Sequence, residues 1–114
     1  MSELTAETVA ALVNQELIRE PDPAVIRRIR ALLVKPKCVD RAWDYGGADS
    51  YPCWTVVEHP GSNTGIVYCD EGFGPNCPWG LVWLSGKDTG MGMDCGWYAT
   101  LVEAFKESMF ADNE

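Results

Sequence analysis

Apolar residues recur at helical spacing in the first third of the chain and crowd into short β-like runs beyond it. Leu4, Val9, Leu12, Val13 and Leu17, with Glu7, Asn14, Gln15 and Glu16 between them, predict an amphipathic helix over residues 3–20. Ser2 or Thr5 is positioned to cap it, and the acids of its first turn suit the helix dipole. Glu20-Pro21-Asp22-Pro23 ends this helix and starts another, because Asp22 is a good N-cap and proline is tolerated at the first helical position. The second helix is predicted over Pro23–Val34, with Val25, Ile26, Ile29, Leu32 and Leu33 as its stripe and Pro36 as its stop. The link is short, so the pair is expected to form a helical hairpin.

The pattern changes after Cys38. Val39–Tyr45 is weakly strand-like and is broken by Gly46-Gly47. Cys53–Glu58 is β-branched and aromatic, and Thr64–Cys69 returns from the tight loop His59–Asn63, which together signal a hairpin. A connector over Asp70–Pro78 leads into a third strong strand, Trp79–Ser85. A glycine-rich loop, Gly86–Gly96, precedes a predicted C-terminal helix over Trp97–Met109, striped by Leu101, Val102, Phe105 and Met109. Ala111–Glu114 reads as a loose tail.

The expected fold is α+β: an N-terminal helical hairpin, a three- to four-stranded mainly antiparallel meander, and a C-terminal helix. At 114 residues the chain suits a single domain, residues 1–114, able to bury roughly two thirds of its unfolded surface. Ile66–Cys69 and Leu81–Leu84 are apolar on both faces rather than alternating. Either helices cover the sheet on both sides, or one face meets a second copy or another protein.

Composition narrows the function classes. Hydrophobic residues make up 46% and charged residues 23%, as in a soluble globular protein, and no run is long enough to span a membrane. The acidic start Met-Ser-Glu-Leu-Thr-Ala-Glu lacks the basic and apolar regions of a secretory signal, so a cytoplasmic location is expected. The five cysteines include no Cys-x-x-Cys pair and are expected to be reduced and structural. Net charge is −8 and unevenly spread: residues 19–41 carry seven bases and three acids, whereas residues 42–114 carry two bases and eleven acids. Most of the surface would repel phosphate, and a basic protein partner is the better match.

No catalytic or metal-binding signature appears. Knuckle-type cysteine pairs and the calcium-loop series are both lacking, and no cofactor is expected. His59, the one histidine, lies at the hairpin turn, and Cys69 lies at the far end of the return strand. At about 3.3 Å per residue they are too far apart to act as a nucleophile and base. The glycine-rich loop matches neither phosphate-cradling motif and carries acids of its own.

The connector is the most informative segment. Three glycines and two prolines in Asp70–Gly80 hold two adjacent acids and two aromatics between β-like runs. Trp54 and Trp83 fall inside strands and are expected in the core, whereas Trp79, between Pro78 and Gly80, is expected to be displayed. The candidate partner-binding set is therefore Asp70, Glu71, Phe73, Trp79, Asp88, Asp94 and Trp97. Such a small, acidic, tryptophan-rich chain suits a non-enzymatic inhibitor or immunity-type factor acting by occlusion. The alternatives are a small-molecule module or enzyme with a pocket beside residues 70–79, and a nucleic-acid regulator using Arg27, Arg28 and Arg30.

Overall fold

The computed structural model describes residues 5–42, 50–70, 76–85, 90 and 96–108. Its elements are α1 (Ala6–Arg19), α2 (Pro23–Leu32), β1 (Leu33–Ala42), β2 (Ser50–His59), β3 (Thr64–Tyr68), β4 (Trp79–Trp83), β5 (Trp97–Tyr98) and α3 (Leu101–Lys106). The strands form one antiparallel meander in the order β1-β2-β3-β4-β5. The fold is α+β as expected, with five strands among the described residues where three or four were predicted.

Local chemistry sets the helix starts. Thr5 accepts from the Thr8 amide at 3.1 Å, and Asp22 accepts from the Ala24 amide at 2.9 Å, satisfying amides that lack intrahelical partners. Val9, Val13 and Leu17 from α1 and Ile29 from α2 are buried. The end of α2 departs from expectation. Leu33 is already extended, at φ −65° and ψ 139°, and the chain passes directly into β1 instead of staying helical to Val34. Proline is tolerated there because β1 is an edge strand and its register with β2 is irregular between Leu33 and Lys37.

The second departure is at the C-terminal helix. Trp97 and Tyr98 pair with Gly80 and Trp79 as β5, and the helix begins only at Leu101. Thr100 explains the late start. Its hydroxyl accepts from the Glu103 amide at 3.1 Å and reaches the Glu103 carboxylate at 3.2 Å, a Thr-x-x-Glu cap. Glu16 on α1 accepts from the Leu101 amide at 2.9 Å and ties α3 to α1.

All helical core residues fall on one side of the sheet. Val9, Val13, Leu17, Ile29, Leu101, Ala104 and Phe105 cluster with Val56, Val57, Ile66 and Trp79. Three cross-strand rows face this side: Trp54, Tyr68, Trp79 and Tyr98; then Val57, Ile66 and Leu81; then His59, Thr64 and Trp83. The opposite side holds a second buried cluster, Cys53, Val67, Cys69, Val82 and Trp97, with Tyr51 and Cys77 against it. Among the described residues no helix residue joins the second cluster, so helices do not cover both sides; its members are nonetheless buried within the chain.

Curvature of the sheet helps close that side. The Arg41 side chain, on β1, donates from Nη1 to the Trp83 carbonyl on β4 at 3.1 Å. Two strands intervene, so a flat sheet would hold the two positions at least about 14 Å apart. The contact therefore requires a strongly curled sheet. The register shift in β2 between Thr55 and Val57 supplies a place for the bend.

Candidate functional site

The row His59–Thr64–Trp83 lies at the end of the helix-facing surface, and Trp83 is left 41% exposed. Beside it is a pocket of about 190 Å³, lined by Thr64, Leu81, Val82, Trp83, Glu107 and Ser108. Glu107 and Ser108 follow the last turn of α3, so the pocket marks where helical cover runs out.

Trp83 is held on a stiff frame. Its carbonyl takes the bond from Arg41, and the next amide, Leu84, donates to the Asn63 carbonyl at 2.9 Å. The Asn63 side chain donates from Nδ2 to the Ser85 carbonyl at 2.9 Å, and Ser85 Oγ donates to Asn63 Oδ1 at 3.0 Å. Asn63 adopts φ 59°, a left-handed conformation that asparagine tolerates better than most residues. The turn itself is braced from within. The Ser62 amide donates to His59 Nδ1 at 3.2 Å, while Ser62 Oγ bonds His59 Nδ1 at 2.9 Å and Thr64 Oγ1 at 2.5 Å. These bonds make the histidine a turn brace, with Nδ1 held as an acceptor.

The sequence-predicted set is only partly assembled. Glu71, Phe73, Asp88 and Asp94 lie outside the described residues. Asp70 is half-buried at the opposite end of the β3–β4 pair from Trp83. The display of Trp79 is corrected: it is 2% exposed, part of the helix-packed cluster and edge-on to Tyr68 with ring centroids 4.8 Å apart. Its neighbours Pro78 and Gly80 do not turn it outward, because β4 starts at Trp79 itself. Trp97, also in the candidate partner-binding set, is 4% exposed and lies on the opposite side of the sheet. Trp83, expected in the core, is the indole left most exposed among the described residues, at 41%. Alternation within β4 put Trp79 and Trp83 on the same side, but no residue signal told which would be covered.

The basic cluster is divided. Arg27 and Arg30 are exposed, while the Arg28 guanidinium lies 5.3 Å from the centre of the Phe105 ring, an intramolecular cation–π contact. His59 and Cys69 do sit at opposite ends of the β2–β3 hairpin. Among the described residues no group of three His, Cys, Asp or Glu side chains is arranged to hold a metal ion, and no helix is long and apolar enough to cross a membrane.

No family model matches the sequence, and comparisons with curated proteins and with solved structures give no significant match.

Proposed function

We propose that this chain is a protein-binding protein that acts by occlusion, receiving a basic partner against Trp83 and the adjoining pocket. The observation that carries this reading is the half-exposed indole mounted on a hydrogen-bonded frame. Tryptophan is prominent among interface hot spots because it buries a large rigid area, and a pre-organised anchor loses little entropy on docking. The pocket is smaller than the ~300–1,000 Å³ of usual small-molecule sites and suits one apolar side chain of a partner. Glu107 at its rim and the net charge of −8 favour lysine or arginine around that side chain.

The test is parallel affinity capture from host extract with the unmodified chain, Trp83→Ala and Asp70→Lys, followed by binding measurements on the protein retained. Trp83→Ala should weaken binding by more than roughly tenfold, the size of a hot-spot loss, whereas Asp70→Lys should spare it. The opposite pattern would move the contact to the connector.

A further inference from the structure

The second side of the sheet holds thiols that the proposed docking surface does not use. Cys53 is fully buried and Cys69 is nearly so, both in the same apolar cluster, and half-buried Cys77 packs against them. Extending the antiparallel register one step beyond Trp54 and Tyr68 sets Cys53 directly opposite Cys69. Opposed residues in antiparallel strands have α-carbons about 4.5–5.5 Å apart, inside the roughly 4.4–6.8 Å that a disulfide spans. The thiols already address each other. Cys53 Sγ donates to the Tyr51 carbonyl at 3.6 Å and is also hydrogen-bonded with Cys69, and neither cysteine is in a disulfide. Cys77 is next to Pro78, whose carbonyl accepts from the Cys69 amide at 2.8 Å.

We propose that Cys53 and Cys69 are a redox-modification site, closing to a reversible intrachain disulfide under a peroxide-class oxidant that enters at Cys77. The entry step suits the more accessible thiol, since oxidation follows thiolate character and exposure. The Cys77 thiolate attacks the peroxide and the O–O bond breaks, giving a sulfenic acid and, after protonation, water. Cys69 attacks the sulfenic sulfur and displaces a second water, forming a Cys69–Cys77 disulfide. Cys53 then attacks the Cys69 sulfur as its proton passes to the departing Cys77 thiolate, which leaves Cys77 as a thiol. In sum, two thiols lose two electrons and two protons, and one peroxide becomes two waters. The new bond joins β2 to the chain entering the Asp70–Pro78 connector.

The test treats the reduced full chain with equimolar hydrogen peroxide, followed by non-reducing proteolysis and mass spectrometry. The expected product is a Cys53–Cys69 peptide pair lighter by two hydrogens and restored by dithiothreitol. In a chain whose Cys38 and Cys95 are also changed to serine, Cys77→Ser should give the same bond roughly tenfold more slowly, because Cys53 and Cys69 are buried. Cys53→Ala should stop at the Cys69–Cys77 bond. If either variant loses its fold, differential alkylation of the unmodified chain before and after oxidation reports the same pairing. Oxidised protein in which Cys53 and Cys69 both remain alkylable after denaturation overturns the site. Wild-type kinetics in folded Cys77→Ser overturns the entry step.

Discussion

The Trp97 indole lies against Gly80 so closely that a β-carbon on the glycine would fall 2.5 Å from Trp97 Cε2. The two are cross-strand partners on β5 and β4, and the absent side chain leaves room for the ring over the second buried cluster. Gly80→Ala should therefore cost about 2–3 kcal/mol, as overpacking in a tight core does. Gly96→Ala is the control. Its β-carbon would meet the Leu81 carbonyl at 3.8 Å, an ordinary contact, and the change should stay within about 1 kcal/mol. Equal losses in urea unfolding would show that the ring can move aside.

The two tryptophans of β4 should separate stability from binding. Trp79→Ala removes a ring buried among Tyr68 and the helix-packed cluster and should cost about 3–5 kcal/mol. Trp83→Ala removes a half-exposed one and should cost about 1 kcal/mol at most. Chemical denaturation of the two variants decides it. A Trp83 variant as unstable as the Trp79 variant would put Trp83 in the core after all.

Asn63 joins backbone conformation to the clamp beside Trp83. Asn63→Ala loses both side-chain bonds to Ser85 and must hold a left-handed conformation that disfavours a β-carbon. It should be less stable than Asn63→Gly by about 1 kcal/mol, since glycine also loses the bonds but adopts that conformation freely. Thermal unfolding of both variants tests this, and an alanine variant at least as stable as the glycine one would sink it.

Alkaline pH should weaken the fold through Cys53. The neighbouring Cys69 thiol and burial hold its pKa well above the ordinary thiol range. Above about pH 8.5 the unfolded thiol loses its proton while the folded one keeps it. The folded state then binds more protons, so stability falls as pH rises. Cys53→Ala should reduce the slope of unfolding free energy against pH between about 8.5 and 10, whatever its effect on stability at neutral pH. An unchanged slope would place the alkaline sensitivity elsewhere.

Much of the architecture was legible because it is written locally. The α1 stripe, the Asp22-Pro23 start of α2 and the hairpin around His59–Asn63 each depend on residues within a few positions of one another. The late start of α3 is also written locally, in the Thr100–Glu103 cap, a signal that a reading from the apolar positions alone passes over. The end of α2 was harder to read. Pro36 marks a helix stop, yet it was the pairing of Leu33 with Val57 on β2 that drew the chain into a strand earlier. No local signal records that pairing.

The amino-acid order alone determined that this chain builds two capped helices and an antiparallel meander, because periodicity, caps and turn residues act over a few bonds. Which tryptophan faces water was decided only by tertiary structure. Trp79 and Trp83 sit four residues apart on the same side of one strand, and their immediate sequence does not separate them. The difference is above the sheet: the helix-packed cluster covers the rows of Trp79 and Leu81, while α3 ends at Lys106 beside the row of Trp83. Burial is a property of what packs across the gap, and that is a long-range fact.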